Sequence, residues 1–168
     1  DGKSKERKGE VVLVSIGPKD AATTIRQGLA MGAERGIMIE GDDNLLDGSI
    51  VAAALAKVVE AEKPDLIVMG KQAVDGDSNV VGTFLSELAG LPIANYATKI
   101  VTAAGGKTVT VARETDAGPA TVKVTGPAII TVTDRILHPD AVKNGITAAD
   151  FSYPEAEGGR YASLKGIM

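Results

Sequence analysis

The sequence contains no cysteine, no tryptophan and a single histidine, and only 3% of its 168 residues are aromatic. Without cysteine, the chain has no disulfide, no thiol nucleophile and no Cys-ligated zinc or iron–sulfur site. A Ser-His triad would have to use His138, and no GxSxG motif accompanies that histidine. Because this histidine lacks neighbouring cysteines or paired carboxylates, the sequence predicts no metal site and no catalytic residues of these kinds.

Positive charge and long apolar runs are also scarce. The formal net charge is −4 at pH 7, so no general positive field attracts the phosphates of a nucleic acid. No apolar run reaches the length that spans a membrane, and no secretory signal opens the chain. The composition therefore predicts a soluble intracellular protein that neither binds nucleic acid nor inserts into a membrane.

Alanine, valine, isoleucine and leucine supply most of the 44% of residues that are hydrophobic. Such aliphatic residues suit a parallel sheet that is covered by helices. Apolar runs typical of strands, at Val11–Ile16, Ile37–Ile39 and Leu66–Met69, alternate with amphipathic segments typical of helices. This alternation predicts an α/β fold with a three-layer, mainly parallel, Rossmann-like sheet flanked by helices.

The pattern changes after Gly90. Segments typical of strands are then separated by short turns that contain glycine or proline, which predicts antiparallel hairpins that extend or flank the parallel sheet. These segments are Ala94–Thr102, Thr108–Thr115, Ala120–Thr125 and Ala128–Val132. From Asp134 to Gly159 the periodicity is weak, which indicates an insertion or a long loop.

One junction of strand, loop and helix carries most of the functional signal. Leu66–Met69 leads into the glycine-rich polar loop Gly70–Gly82, and apolar residues at helical spacing follow. Ligands of open α/β sheets bind at this end of a strand, and the next helix directs free N–H groups at anions. Gly70 and Gly76 would allow close backbone approach, and the polar side chains of residues 75–79 would cap the helix. The loop matches neither GxGxxG nor GxxxxGK[ST], so a turn without a ligand stays open as an alternative.

Three stretches, in this order, resemble the β subunit of electron-transfer flavoproteins. The first is Val14–Pro18 followed by Thr24–Gly36, which is similar to that family's strand, its Gly-Pro turn and its "LRxALAMGADR" helix. The second is the loop Gly70–Gly82, which is similar to the family's nucleotide loop. The third is Arg160–Met168, which reads RYASLKGIM and is near the family's "RYxxLPxIM".

The resemblance implies the β subunit of a heterodimer, an electron carrier with no catalytic residues of its own. Such a subunit binds AMP as a structural ligand and shares FAD with an α subunit, which holds most of it. Electrons come from acyl-CoA or related dehydrogenases. The cofactor-binding residues that the resemblance implies are Ile16, Gly70, Lys71, Gln72, Ala73, Val74, Asp75, Gly76, Asp77, Ser78, Asn79, Val80 and Val81.

The segment Arg160–Met168 resembles the loop by which the family recognises its partner dehydrogenase. Leu164 would insert as the aliphatic anchor, and the supporting contacts would come from Tyr161, Ile167 and Met168. The alternative is that these residues pack against the chain's own sheet, because single apolar residues at a surface are ordinary.

The resemblance also predicts a division of the chain. Residues 1–133 would form the nucleotide-binding α/β domain, without the strand and helix that open the family's sequence. Residues 134–159 would be the insertion or long loop, and residues 160–168 the partner-recognition loop. The expected compartment is the cytoplasm of a bacterium, or the mitochondrial matrix of a eukaryote.

Several readings of the nucleotide loop stay open. Val80-Val81 replace the family's usual Gln-Thr, so this apolar pair is expected to face the core. Asp75-Gly76-Asp77 and Val81-Gly82 are closer to the electron-bifurcating branch, whose β subunit binds a second FAD here. Asn79 favours the AMP-binding branch instead, and AMP remains the first expectation. A stand-alone nucleotide-binding protein of the universal-stress type would not need Arg160–Met168. An ATP-pyrophosphatase would need an SGGxDS-type loop, which the sequence lacks.

Overall fold

The computed structural model of the chain describes residues 9–73, 76–103, 107–137 and 142–144. These residues belong to two compact units. Residues 9–47 form the smaller unit, and the described residues from Gly48 onward form the larger one.

The smaller unit is one parallel β-α-β element. Strand β1 (Val12–Gly17) leads through a 3-10 turn to helix α1 (Ala22–Ala30), and strand β2 (Arg35–Glu40) follows. The two strands are parallel, with Val14 opposite Ile37, as their apolar sequences predict. Helix α1 ends at Ala30 because Gly32, two residues later, adopts a left-handed φ of 113°.

A second 3-10 turn, Asp43–Leu45, closes the smaller unit. The Asp42 carboxylate accepts hydrogen bonds from the Asn44 backbone amide at 3.0 Å and from the Asn44 side-chain amide at 2.9 Å. These bonds stabilise the charged carboxylate and lower the pKa of Asp42 from its usual value. The Asp42 carboxylate therefore stabilises the turn through its hydrogen bonds to Asn44.

The larger unit begins with two helices that flank a strand. Helix α2 (Gly48–Glu62) ends before Pro64, strand β3 (Leu66–Gly70) follows, and helix α3 (Val81–Ala89) comes after the polar loop. The strands that follow are β4 (Ile93–Thr102), β5 (Thr108–Thr115), β6 (Gly118–Thr125), β7 (Ala128–Val132) and β8 (Val142–Asn144).

The sheet of the larger unit has the strand order β3-β7-β4-β5-β6, with β8 beside the end of β4. Strand β7 is parallel to both of its neighbours, with Ala128 opposite Leu66 and Ile129 opposite Ile93. Strands β4, β5 and β6 form the predicted antiparallel hairpins. The fold is therefore α/β, with a mainly parallel sheet flanked by helices and antiparallel strands towards the C-terminus, as the sequence predicts.

The predicted pairing of the last strand was wrong. Gly126-Pro127 resembles a hairpin turn, which would place Ala128–Val132 against the preceding strand. Instead β7 crosses the sheet and enters between β3 and β4. Its residues Ala128, Ile129 and Ile130 are all 0% exposed, and a strand that is apolar on both faces is most stable in the interior of a sheet.

Two apolar clusters lie on the opposite sides of β7, because successive residues of a strand point to opposite faces. Ile129 packs with Ala52 of α2 and Leu85 of α3. Ile130 belongs to the other cluster, which strands β4 and β5 supply. The first cluster fixes α3, and with it the end of the polar loop, against the sheet.

Candidate functional site

The candidate site is the loop that joins β3 to α3 at the carboxyl end of the sheet. The backbone N–H of Lys71 donates to the carbonyl oxygen of Val132 at 3.0 Å, so the β3–β7 ladder extends one residue beyond the strand. The described part of the loop then runs through Gln72 and Ala73 and resumes at Gly76. The first residue of the loop is therefore fixed by a backbone hydrogen bond to β7, a strand in the interior of the sheet.

Two polar contacts close the middle of the loop. The N–H of Asp77 donates to the carbonyl oxygen of Ala73 at 3.1 Å, and the Gln72 side-chain amide donates to the Asp77 carboxylate. Asp77 and Asn79 have left-handed φ values of 49° and 50°, a conformation that Asp and Asn tolerate better than most residues. Asp77 shapes the loop, and its charge is engaged by Gln72.

The predicted capping of α3 was wrong for the residues that the structure describes. The N-cap is Val80, and no side chain makes a capping hydrogen bond there. Asp77 and Asn79 point instead to Gln72 and Tyr96. The N–H groups of a first helical turn have no carbonyl partner within the helix, so this helix start suits an anion.

Val80 and Val81 face inward, as expected. Val81 packs against the cluster of Ala52, Leu85 and Ile129. A Cβ built on Gly48 would lie only 2.6 Å from Cγ2 of Val80, so Val80 sits directly on the first residue of α2. These two side chains anchor the end of the loop and offer no hydroxyl to a phosphate.

The glycines of the loop differ in the room around them. A Cβ on Gly76 would have no neighbour within 4 Å, and one on Gly70 would meet only the Gln72 carbonyl oxygen at 3.7 Å. Nothing in the described chain therefore requires glycine at these two positions, and both leave the backbone open to a ligand. Gly82 is different, because a Cβ there would lie 2.8 Å from Cγ2 of the buried Thr131.

Tyr96 is a site residue that the sequence did not indicate. Its hydroxyl accepts a hydrogen bond of 2.6 Å from the Asn79 side-chain amide, across 17 positions of sequence. Tyr96 lies where the β4–β7 register shifts between Ala94 and Ala97, and its φ is 63°. A left-handed conformation costs a non-glycine residue roughly 1–2 kcal/mol, so the surrounding contacts must stabilise it.

Thr131 supplies that stabilisation from β7. It is 2% exposed, and its hydroxyl accepts the backbone N–H of Tyr96 at 3.1 Å. The same hydroxyl donates to the Asn95 side-chain carbonyl at 3.2 Å. Thr131 therefore joins the irregular part of β4 to the start of α3, where Gly82 lies against its methyl group. In the sequence, the one sign of this role is that Thr131 is a polar residue within the apolar strand Ala128–Val132.

Arg113 and Glu114, neighbours on β5, have separate partners. The Arg113 guanidinium carbon lies 5.8 Å from the centroid of the Tyr96 ring, within cation–π range. Its buried Nε has no hydrogen-bonding partner among the described residues. Glu114 pairs with Arg135 of the 3-10 turn Asp134–Leu137, and both side chains are exposed.

The other predicted site residues lie elsewhere. Ile16 is half-buried on β1 of the smaller unit, opposite Ile39. Lys71 and Ser78 are exposed on the loop of the larger unit. The residues outside the described part of the chain are Val74, Asp75, Tyr161, Leu164, Ile167 and Met168.

Two features are absent from the described residues. None of the described helices has the length and apolar character needed to cross a membrane. Within the same part of the chain, no three histidine, aspartate or glutamate side chains gather in a way that would hold a metal ion.

The fold is of the α/β class, with the polar loop between β3 and α3 at the carboxyl end of β3, and comparison with known proteins gives the family. The family model for the electron transfer flavoprotein domain matches residues 3–157. The chain therefore belongs to the electron transfer flavoprotein family, and the resemblance to its β subunit is confirmed.

Three curated relatives show the extent of the similarity. The electron transfer flavoprotein subunit beta of Bradyrhizobium diazoefficiens is 43% identical over 159 residues, which is 95% of this chain and 55% of that protein. The mitochondrial subunit beta of Arabidopsis thaliana is 40% identical over 159 residues, with the same two shares, 95% and 55%. The Bos taurus subunit beta is 40% identical over 169 residues, or 99% of this chain and 58% of that protein. The chain thus spans a little over half the length of these relatives.

Proposed function

We propose that this chain acts as the β subunit of a heterodimeric electron transfer flavoprotein, in which the loop from Gly70 to Val81 binds AMP as a structural ligand. An α subunit holds most of the redox FAD, and the pair carries electrons from acyl-CoA or related dehydrogenases. The family match over residues 3–157 carries the proposal. The chain itself performs no catalysis, and its compartment is the bacterial cytoplasm or the mitochondrial matrix.

The loop fits a nucleotide phosphate in three respects. The first turn of α3 begins at Val80 without a side-chain cap, so its N–H groups suit an anion. The backbone at Gly70 and Gly76 is open to close approach. The Asp77 carboxylate keeps its charge, which would repel a phosphate, but one of its oxygens is directed to the Gln72 side-chain amide within the loop. Ser78 and Asn79 then add side-chain hydrogen bonds to the ligand.

FAD in the same loop is the second candidate. The inward-facing Val80 and Val81 offer no hydroxyl to a phosphate, but this does not distinguish the two ligands, because AMP and FAD both carry phosphate. The sequence around Gly76 and Gly82 resembles the electron-bifurcating branch. In that case the β subunit would take part in electron transfer through its own flavin.

Counting bound ligands tests the proposal. The full-length gene product is co-expressed with its α-like partner, and the ligands released by acid from the purified complex are separated by chromatography. We expect one AMP and one FAD per heterodimer. Two FAD and no AMP would establish the bifurcating alternative. Failure to form a complex, with no flavin, would contradict the assignment as an electron-carrier subunit.

Leu164 tests the proposed division of the chain, in which residues 1–133 bind nucleotide and residues 160–168 follow the insertion as a docking loop. Truncating an anchor residue of an interface costs at least about 2 kcal/mol, which is about 30-fold in affinity. We therefore expect Leu164→Ala to slow electron transfer from the dehydrogenase by about this factor and to leave the AMP content unchanged.

The matched control is Leu45→Ala, because Leu45 is 70% exposed on the smaller unit and should have no effect on either readout. Parallel loss of electron transfer and of AMP would place Leu164 in the core and contradict its role in docking.

A further inference from the structure

Two residues in the left-handed region of backbone conformation meet in one hydrogen bond. Asn79 on the loop has a φ of 50°, and Tyr96 on β4 has a φ of 63°. The Asn79 amide donates to the Tyr96 hydroxyl at 2.6 Å. Asparagine adopts this conformation readily, but for a bulky aromatic residue it is an outlier. Strained residues of this kind concentrate at functional sites, where surrounding contacts hold them in place.

The rest of Tyr96 is fixed from the sheet. Its backbone N–H donates to Thr131 of β7 at 3.1 Å, and the Arg113 guanidinium of β5 lies 5.8 Å from the ring centroid. Strands on both sides of β4 therefore define where the ring lies. Because the ring is fixed, its hydroxyl is also fixed, and the loop residue Asn79 is hydrogen-bonded to it.

We propose that Tyr96 is a positioning residue for the nucleotide: its hydroxyl holds Asn79, and through Asn79 the residues just before α3, in the geometry that binds AMP. This inference rests on the proposed nucleotide site and adds the residue that sets its shape. Tyr96 acts through Asn79 and is not itself assigned a contact with the ligand.

The chemistry of the amide explains why one hydrogen bond is enough. An asparagine side chain has two amide N–H groups and one carbonyl oxygen. With one N–H committed to Tyr96, the second N–H and the carbonyl oxygen keep a defined orientation. Without the tyrosine hydroxyl the side chain rotates freely, and nucleotide binding must then order it at an entropic cost.

The test is Tyr96→Phe, which removes one oxygen atom and keeps the ring. The full-length subunit in complex with its α partner is freed of nucleotide and titrated with AMP. We expect the dissociation constant to rise about three- to tenfold, the range that one net hydrogen bond supplies.

A second variant, Asn79→Gly, removes the amide but keeps the left-handed backbone, because glycine adopts positive φ without strain. Since Tyr96 acts through Asn79, adding Tyr96→Phe to the Asn79→Gly background should weaken AMP binding no further. A merely structural role for Tyr96 would produce no such coupling.

The control is Thr115→Val, which removes a 2.8 Å hydrogen bond to the Gly118 carbonyl at the β5–β6 turn and should leave AMP affinity unchanged. Wild-type affinity in Tyr96→Phe, or an undiminished effect in the Asn79→Gly background, would overturn the inference and leave the nucleotide site standing. A wild-type complex that binds neither AMP nor FAD would overturn the proposed site and the inference together.

Discussion

Replacing Leu85 with alanine is expected to lower the free energy of unfolding by about 3 kcal/mol, within the range measured for buried leucines. Leu85 is 1% exposed and packs with Ala52 and Ile129 in the cluster that attaches α2 and α3 to the sheet. The substitution removes this contact and leaves a cavity that α3 fills only by shifting. Urea unfolding of the wild type and the variant under the same conditions measures the change.

Leu88→Ala is the matched control, because it makes the same chemical change in the same helix. Leu88 is 58% exposed, so its loss should change the free energy of unfolding by less than about 0.5 kcal/mol. If the two variants lost equal stability, α3 would not be attached to the sheet through Leu85.

The second large effect is expected from Gly82→Val. Even one added carbon at Gly82 would lie 2.8 Å from Cγ2 of Thr131 and 3.4 Å from Cδ1 of Ile93. Thr131 is buried and hydrogen-bonded at its hydroxyl, so it has little room to move. We expect a loss of about 3 kcal/mol in the free energy of unfolding, at the upper end of the cost of overpacking.

The displaced helix start should also weaken AMP binding by more than about tenfold, because the first-turn amides move relative to the loop. Thermal or urea unfolding gives the first readout, and AMP titration of the complex gives the second. Gly76→Val is the control for stability, since a Cβ at Gly76 meets nothing within 4 Å. Wild-type stability in Gly82→Val would show that α3 lies farther from β7 than the structure places it.

The local elements of this fold were predictable because each has a local cause. The short apolar run Leu66–Met69, bounded by Pro64 and Gly70, became β3, and the apolar residues at helical spacing after the loop became α3, because both signals are local. The location of the loop followed, since it is only the connection between the two.

What the sequence did not indicate depends on pairs that are distant along the chain. Strand β7 is central because it pairs with β3 on one side and with β4 on the other, at Leu66 and Ile93 respectively. No local sequence pattern identifies these two strands as its partners. The helix cap shows the same limit. Asn79 is a good capping residue by type, but Val80 occupies the cap, and the Asn79 side-chain amide donates instead to a tyrosine 17 positions later.

The order in which the strands are synthesised gives β7 a further consequence. Strands β3 and β4 are made early but are not neighbours, and the strand that joins them is made only after two hairpin strands have followed. Until β7 has been added, β3 lacks the strand that it pairs with in the described sheet, and the hairpins of β4, β5 and β6 have an unpaired edge at β4. Contacts between residues so far apart in sequence form slowly, and the unpaired strand edges stay exposed for longer. The late addition of β7 therefore exposes the edges of β3 and β4 to aggregation while the chain is being synthesised.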